Sequence, residues 1–358
     1  MRRLSVFFYL SMFFVLLLSN SCKKEDDKEA QETGIYSQGI FITNEGTFGK
    51  GNGSVSYFDP ETGKCVNDIF MLANSRPLGD VVQSMYIHND KAYIVVNVSG
   101  KVEIVKRADF TSTGVIESLQ SPRYFLAAND NKAYISCWGE DGNIAVIDLK
   151  TNKITSKIKV GYGPEEMLIS GNYLYVCNGG GYGSDNKISI INIQTDELEN
   201  TIETADNPTS IVSDAEGDIW VLCRGAIFYN PDYSISSETP SKLIEIDANS
   251  KTIKNTLEIS KTLHASHLSI SPDKKTLYFG GGFGVLGIFS CPTSAGSISQ
   301  TAFISNSFYS FAADPESGII YGLSAPSFET AGKLLRYNNS GTLLDSTIVG
   351  IAPNGVVF

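Results

Sequence analysis

Few residues of this chain have types and spacing that could do chemistry. His264 and His267, in H-A-S-H, are the right type for a metal pair. Three residues apart on an extended segment, they face opposite sides and chelate together only across a turn. His264 alone remains a candidate ligand contact. Gly282 to Gly287 reads G-F-G-V-L-G, the spacing of a dinucleotide fingerprint. That fingerprint works by placing a helix N-terminus under a pyrophosphate. Here a strand-like run and Pro292 follow, so the segment reads as a loop. No G-x-S-x-G elbow occurs, and no spacing singles out a pair of carboxylates for acid–base work. Beyond Cys22, none of the five cysteines has C-x-x-C spacing. Cys137, Cys177 and Cys223 sit at matching places and read as small buried residues.

Aromatic residues in Gly-rich segments are more informative: Phe48, Trp138, Tyr182, Phe228, Tyr229, Tyr233, Phe283 and Phe328. Rings give contact area at low entropic cost, so a group of them on loops suggests a large flat or amphipathic ligand.

The elements that position these loops are legible in Pro164–Thr204. Four short apolar runs lie there, Met167–Ile169, Tyr173–Cys177, Ile188–Ile193 and Leu198–Ile202, each bounded by Gly, Asn, Asp or Ser. Four antiparallel strands in about 40–45 residues make one propeller blade. The third run is apolar almost throughout, as a strand buried on both faces must be. The unit recurs. Aromatic anchors at Phe41, Tyr93, Tyr134, Tyr175, Trp220, Tyr278 and Tyr321 mark seven second strands, and Pro122, Pro164 and Pro208 lead three of the first strands. One blade cannot bury its own faces, so the array must close. The expected fold is therefore all-β: a seven-bladed propeller of four-stranded antiparallel blades over residues 35–358. The N-terminal blade lacks a first strand, and Ala352–Phe358, led by Pro353, repeats the pattern that would supply it. Such closure removes two open sheet edges.

In a propeller, the loops between second and third strands and those between blades gather at one face. The first set is long and Gly-rich here, including Asn44–Gly53, Asn178–Asn186 and Arg224–Pro240. That elaboration marks the binding face. The residues expected to bind are Arg76, Trp138, Tyr162, Glu165, Arg224, Tyr229, Phe283 and Phe328. Tyr162 and Glu165 lie where one blade hands over to the next and should point toward the axis. The four other aromatics would wall a basin, and the two arginines would donate to amides or a phosphate. No catalytic residue, metal or cofactor is assigned.

Residues 1–22 read as a targeting segment: Arg2 and Arg3, the apolar run Leu4–Leu18, then L-S-N-S-C ending at Cys22. Small residues before Cys22 resemble a bacterial lipoprotein cleavage site, which implies lipidation of Cys22 and a membrane anchor. The usual Leu three places before the Cys is Ser19 here. K-K-E-D-D-K-E follows, and residues 23–34 read as a charged tether. It resembles the acidic tag that sends some gut-bacterial lipoproteins to the outer face of the outer membrane. A formal net charge of −11 argues against a nucleic-acid partner.

At Y-V-C-N, I-S-I-I-N-I-Q-T and I-K-V-G-Y-G-P-E the chain resembles the YncE-like propellers with Y-V-T-N repeats. A narrower resemblance rests on Asn44–Asp59, Arg76–Met85, Val160–Glu166 and Asp206–Ser210 together with Cys22 and its acidic tether. These look like the BtuG-like surface lipoproteins that capture cobalamin. The resemblance implies a corrinoid on the loop-rich face and delivery to an outer-membrane transporter. Two other functions stay open: a scaffold for a protein or glycan, and an enzyme of lactonase or quinoprotein type, which would bring acidic and Asn ligands onto a metal in the channel.

Overall fold

A computed structural model describes residues 34–36, 38–282 and 284–358. The targeting segment, Cys22 and the tether lie outside the described residues, as does Phe283. The described residues form seven four-stranded antiparallel sheets and one two-stranded hairpin. Six sheets are built from consecutive segments of chain. The seventh combines Ile40–Asn44, Ser54–Phe58 and Cys65–Val66 with the C-terminal strand Pro353–Val357. That last strand pairs with Ile40–Asn44 as the innermost strand of blade 1, with Phe41 opposite Val357 and Thr43 opposite Gly355. The closure expected from Pro353 is therefore present.

Each blade interface carries its own core, and alternation along a strand decides which interface a side chain serves. In Tyr173–Asn178 of blade 4, Leu174 and Val176 pack with Tyr134, Ile144 and Val146 of blade 3. Tyr175 and Cys177 point the other way, onto Ile219, Val221 and Cys223 of blade 5. A strand sandwiched in this way has no solvent face, which is why its sequence is apolar without alternation. The anchor rings also reach polar partners with their tips. Tyr134 Oη donates to Asp196 Oδ1 at 2.5 Å, and Tyr175 Oη donates to the Ala248 carbonyl at 3.1 Å, each in a turn of the next blade. Trp220 Nε1 donates to Asp214 Oδ2 at 2.9 Å. Cys137, Cys177, Cys223 and Cys291 are buried and free, and Cys65 is free and half-buried.

Two features depart from a bare propeller. A short helix, Ile69–Asn74, follows the brief outer strand of blade 1 and buries Ile69 and Phe70. The long insertion of blade 5 folds into a hairpin, Ile227–Tyr229 with Ile235–Glu238. Among the described residues, no helix is long and apolar enough to cross a membrane.

Candidate functional site

The seven innermost strands converge on the channel, and each is entered in the same way, at its first residues or in the segment just before them. A buried leading residue (Val82, Pro122, Pro164, Pro208, Ala265, Phe308 or Pro353) is followed by a polar one: Gln83, Arg123, Glu165, Thr209, Ser266, Tyr309 or Asn354. In blades 1 to 5 the pairing register shifts at or just after this point. Such a bulge re-aims the next side chain. All seven polar residues line one basin of about 1030 Å³ at the mouth of the channel.

The ring is cross-linked. Arg123 holds Glu165 through two bonds of 3.1 Å, from Nε and Nη2, and its Nη1 donates to Gln83 Oε1. This fork ties blades 2, 3 and 4 together at the channel mouth. Across the ring, Glu45 Oε1 accepts from Tyr309 Oη at 2.9 Å and from Asn354 Nδ2 at 3.3 Å. Asn354 Nδ2 also donates to the Val82 and Gln83 carbonyls at 3.0 Å. Burial raises the Glu45 carboxyl above its usual range, against the lowering effect of Tyr309, Arg123 and Asn354.

Around this floor stand exposed rings. Phe48, Tyr182, Phe228, Tyr229 and Phe328 all line the basin and all face solvent. Phe228 and Tyr229 are carried by the hairpin, whose base is fastened by His264. Its Nδ1 lies 2.7 Å from the Arg224 carbonyl and its Nε2 lies 3.0 Å from Glu238 Oε2. A carbonyl only accepts, so Nδ1 carries a proton. His264 and His267 both line the basin, contrary to the opposite-sided expectation. The strand begins only at His267, so His264 sits on the irregular segment before it and no strand alternation separates them. His267 Nδ1 is buried without a hydrogen-bond partner, and burial pushes the imidazole down to about 4.

Of the residues expected from the sequence, Glu165, Arg224, Tyr229 and Phe328 line the basin. Among the described residues no carboxylate forms an ion pair with Arg224, which leaves a cation at the rim. Arg76, Trp138 and Tyr162 do not line it. Arg76 is taken up by Glu103 at 2.6 Å and Ser112 at 3.1 Å, on the outer strands of blade 2. Trp138 lies behind the wall: the Arg123 guanidinium stacks on its ring at 4.2 Å and Tyr182 meets it edge-on at 5.3 Å. Tyr162 is exposed, and its backbone N–H donates to Asp185 Oδ2 at 2.7 Å. Sequence reasoning missed Gln83, Arg123, Thr209, Ser266, Tyr309 and Asn354. The signal was available, because each is the first residue after a strand-leading Pro or its equivalent.

A cluster of Asp214, Asp218 and Glu245 lies in blade 5 at the opposite end of its strands. The Lys254 ammonium sits between Asp218 and Glu245, 3.0 Å from the latter, so a protein cation already balances it.

The family described as "Domain of unknown function (DUF5074)" matches residues 38–288. The chain belongs to the DUF5074 family. The match runs from blade 1 into the third strand of blade 6 of this DUF5074 propeller. No curated protein matches it. Solved structures do, with low identity. A "Quinonprotein alcohol dehydrogenase-like protein" from Bacteroides thetaiotaomicron VPI-5482 is 15% identical with a TM-score of 0.67, covering 90% of this chain and 78% of that one. The periplasmic gluconolactonase of Pseudomonas aeruginosa is 13% identical with a TM-score of 0.62, covering 88% and 98%. Apo AztD from Citrobacter koseri is 12% identical with a TM-score of 0.54, covering 89% and 97%. These neighbours differ in function and share the propeller with the DUF5074 chain.

Proposed function

We propose that this DUF5074 propeller is a lipid-anchored surface protein that binds one large, polar-edged ligand in the basin, and that the ligand is a corrinoid such as cobalamin. One observation carries the reading: seven blades each send a polar side chain to the floor of a basin of about 1030 Å³ whose rim is aromatic. Ligand pockets commonly span about 300–1,000 Å³, so this basin suits an occupant at the top of that range. A corrinoid offers a broad ring for Phe48, Tyr182, Tyr229 and Phe328, peripheral amides for Gln83, Thr209 and Asn354, and a phosphate for Arg224. The anchor at Cys22 and delivery to an outer-membrane transporter come from the sequence resemblance and belong to the same proposal.

Titration of the protein with cyanocobalamin, followed by calorimetry and visible absorbance, tests it. The expected result is saturable one-to-one binding that Tyr229→Ala weakens. No heat and no spectral change with the folded wild-type protein would overturn the corrinoid reading.

A further inference from the structure

The charged side chains that line the basin are Glu45, Arg123, Glu165 and Arg224. Three of them are satisfied within the floor. Arg123 and Glu165 hold each other, and Glu45 is met by Tyr309 and Asn354. Arg224 differs: among the described residues its guanidinium has no hydrogen bond, ion pair or ring contact. The neighbouring blade adds two more open groups, Ser266 and His267. Unmet donors therefore collect on one side of the floor, at blades 5 and 6. We infer that this side is an oxyanion subsite, which seats one singly charged carboxylate or phosphodiester group of the ligand. The inference deepens the reading of the basin as a ligand site and rests on it, but it does not require the ligand to be a corrinoid.

Local geometry supplies the donors. Arg224 directly follows the second strand of blade 5, Ile219–Cys223, and its carbonyl lies 2.7 Å from His264 Nδ1, which fixes it at the border with blade 6. Ser266 precedes the inner strand of blade 6 and His267 begins it. The contact of Ser266 Oγ is the His264 carbonyl at 3.5 Å, well beyond the usual hydroxyl distance of about 2.7–2.8 Å, so this hydroxyl is free to turn to a better acceptor. Neither ring nitrogen of His267 has a hydrogen-bond partner among the described residues, and Nδ1 is the buried one. A buried N–H without an acceptor is a rarer orphan than a buried lone pair, so the proton belongs on Nε2, the nitrogen left to donate into the basin. Glycines make the room. Gly281 and Gly282 have φ of 66° and 102°. A Cβ on Gly281 would lie 2.9 Å from His267 Nδ1, and one on Gly282 would lie 2.7 Å from Ser266 Oγ. The start of the Gly-rich loop thus serves close approach to these two side chains.

The alternatives fit this side less well. A metal cation would meet Arg224 and find no carboxylate: Glu238 is paired with His264 and does not line the basin. A neutral amide would use Ser266 and His267 but leave the guanidinium unmatched. One unpaired cation calls for one negative charge, and the planar fork of Arg suits the paired oxygens of a carboxylate or phosphate, with the hydroxyl and the imidazole N–H completing the set.

Acetate and dimethyl phosphate, both singly charged, and neutral acetamide are the probes, titrated into the full protein at neutral pH and constant ionic strength. The chain has three histidines, so nuclear magnetic resonance of a histidine-labelled sample follows each ring separately. His88, at the end of its strand away from the basin, is the internal reference. A saturable shift of the His267 signals is expected with at least one anion, with none at His88 and none from acetamide. A response to dimethyl phosphate identifies a phosphodiester and a response to acetate alone a carboxylate; either supports the subsite. Arg224→Gln should weaken the anion about tenfold or more and Ser266→Ala about fivefold, the worth of a charge-assisted and of a neutral hydrogen bond. Melting curves establish that both variants fold; if one does not, the other and the acetamide comparison decide. No saturable response to either anion, an equal response to acetamide, or undiminished binding by folded Arg224→Gln each overturns the inference. Cyanocobalamin is titrated into the wild type in parallel. Its binding without any response to the anions overturns this inference alone; a response to the anions without cyanocobalamin binding supports it and overturns the corrinoid reading alone.

Discussion

Two groups facing the channel should oppose each other in the pH dependence of folding. Glu166 is held at about 7 against a usual 4.5, and His267 at about 4 against a usual 6.5, both by burial. Between pH 4.5 and 7 the folded chain keeps a proton on Glu166 that the unfolded chain has lost, so this group's contribution to stability falls as pH rises. Between pH 6.5 and 4 the unfolded chain binds a proton on His267 that the folded chain refuses, so that contribution falls as pH drops. Each pH unit is worth 1.36 kcal/mol per proton. Each window spans about 2.5 units, which gives up to ~3 kcal/mol, and water in the channel brings the expected size to about 1–3 kcal/mol. In the wild type the two slopes cancel over the shared range from pH 4.5 to 6.5. Glu166→Gln leaves the His267 slope alone, so its stability relative to wild type should rise steadily with pH. His267→Gln leaves the Glu166 slope, and its relative stability should fall across the same range. Urea unfolding at half-unit pH steps, with the variant-minus-wild-type difference plotted, cancels every other titrating group. Flat difference curves for both variants, or curves of the same sign, would refute the assignment of these two groups.

Three further outcomes follow, the first and the last from the proposed function and the second from the ring closure. Tyr229→Ala should weaken cyanocobalamin by about thirtyfold, the cost of about 2 kcal/mol typical of a central aromatic anchor, with an unchanged melt; Trp138→Ala should also weaken it, by releasing Arg123 and Tyr182. Removing Ala352–Phe358 strips blade 1 of its inner strand together with the Asn354 bonds to Thr43, Glu45, Val82 and Gln83, and the melting temperature should drop or the cooperative transition vanish. Cys22→Ala should move the protein from washed membranes to the soluble fraction, because stable anchoring needs more than one acyl chain and this variant carries none.

The blades were legible because their signal is repeated and local. Strand-length apolar runs, turn residues and an aromatic anchor recur seven times, and the double-sided burial of Tyr173–Asn178 is written directly in its composition. The turn at Asp59–Lys64 follows the same local logic: Asp59 Oδ1 accepts from the Glu61 and Thr62 N–H groups, as an Asp in that place does. The site was only half legible. A loop aromatic such as Tyr229 announces itself by type, and Glu165 by its place after Pro164. Arg76 is indistinguishable in sequence from a rim arginine, and what removes it is Glu103, 27 residues away on the third strand of blade 2. Trp138 reads in sequence as a wall residue because nothing local says that Arg123 stands between it and the basin. Gln83, Thr209 and Asn354 have no conspicuous chemistry singly. Their meaning comes from being brought to one ring by seven separate strands.

That ring has a kinetic side. The bond from Thr43 to Asn354 joins residues 311 apart, nearly the whole propeller. Closing a loop of that length costs about 5 kcal/mol of chain entropy by the logarithmic rule, against about 2 for a ten-residue hairpin. The closing strand Pro353–Val357 also leaves the ribosome after all the blades it joins. Blades 2 to 6 can assemble before it emerges, but blades 1 and 7 stay unsealed until it arrives. The completed circle then has no terminal blade at which unravelling could start, so the molecule should lose its structure as one unit, unlike an open solenoid that frays from its ends.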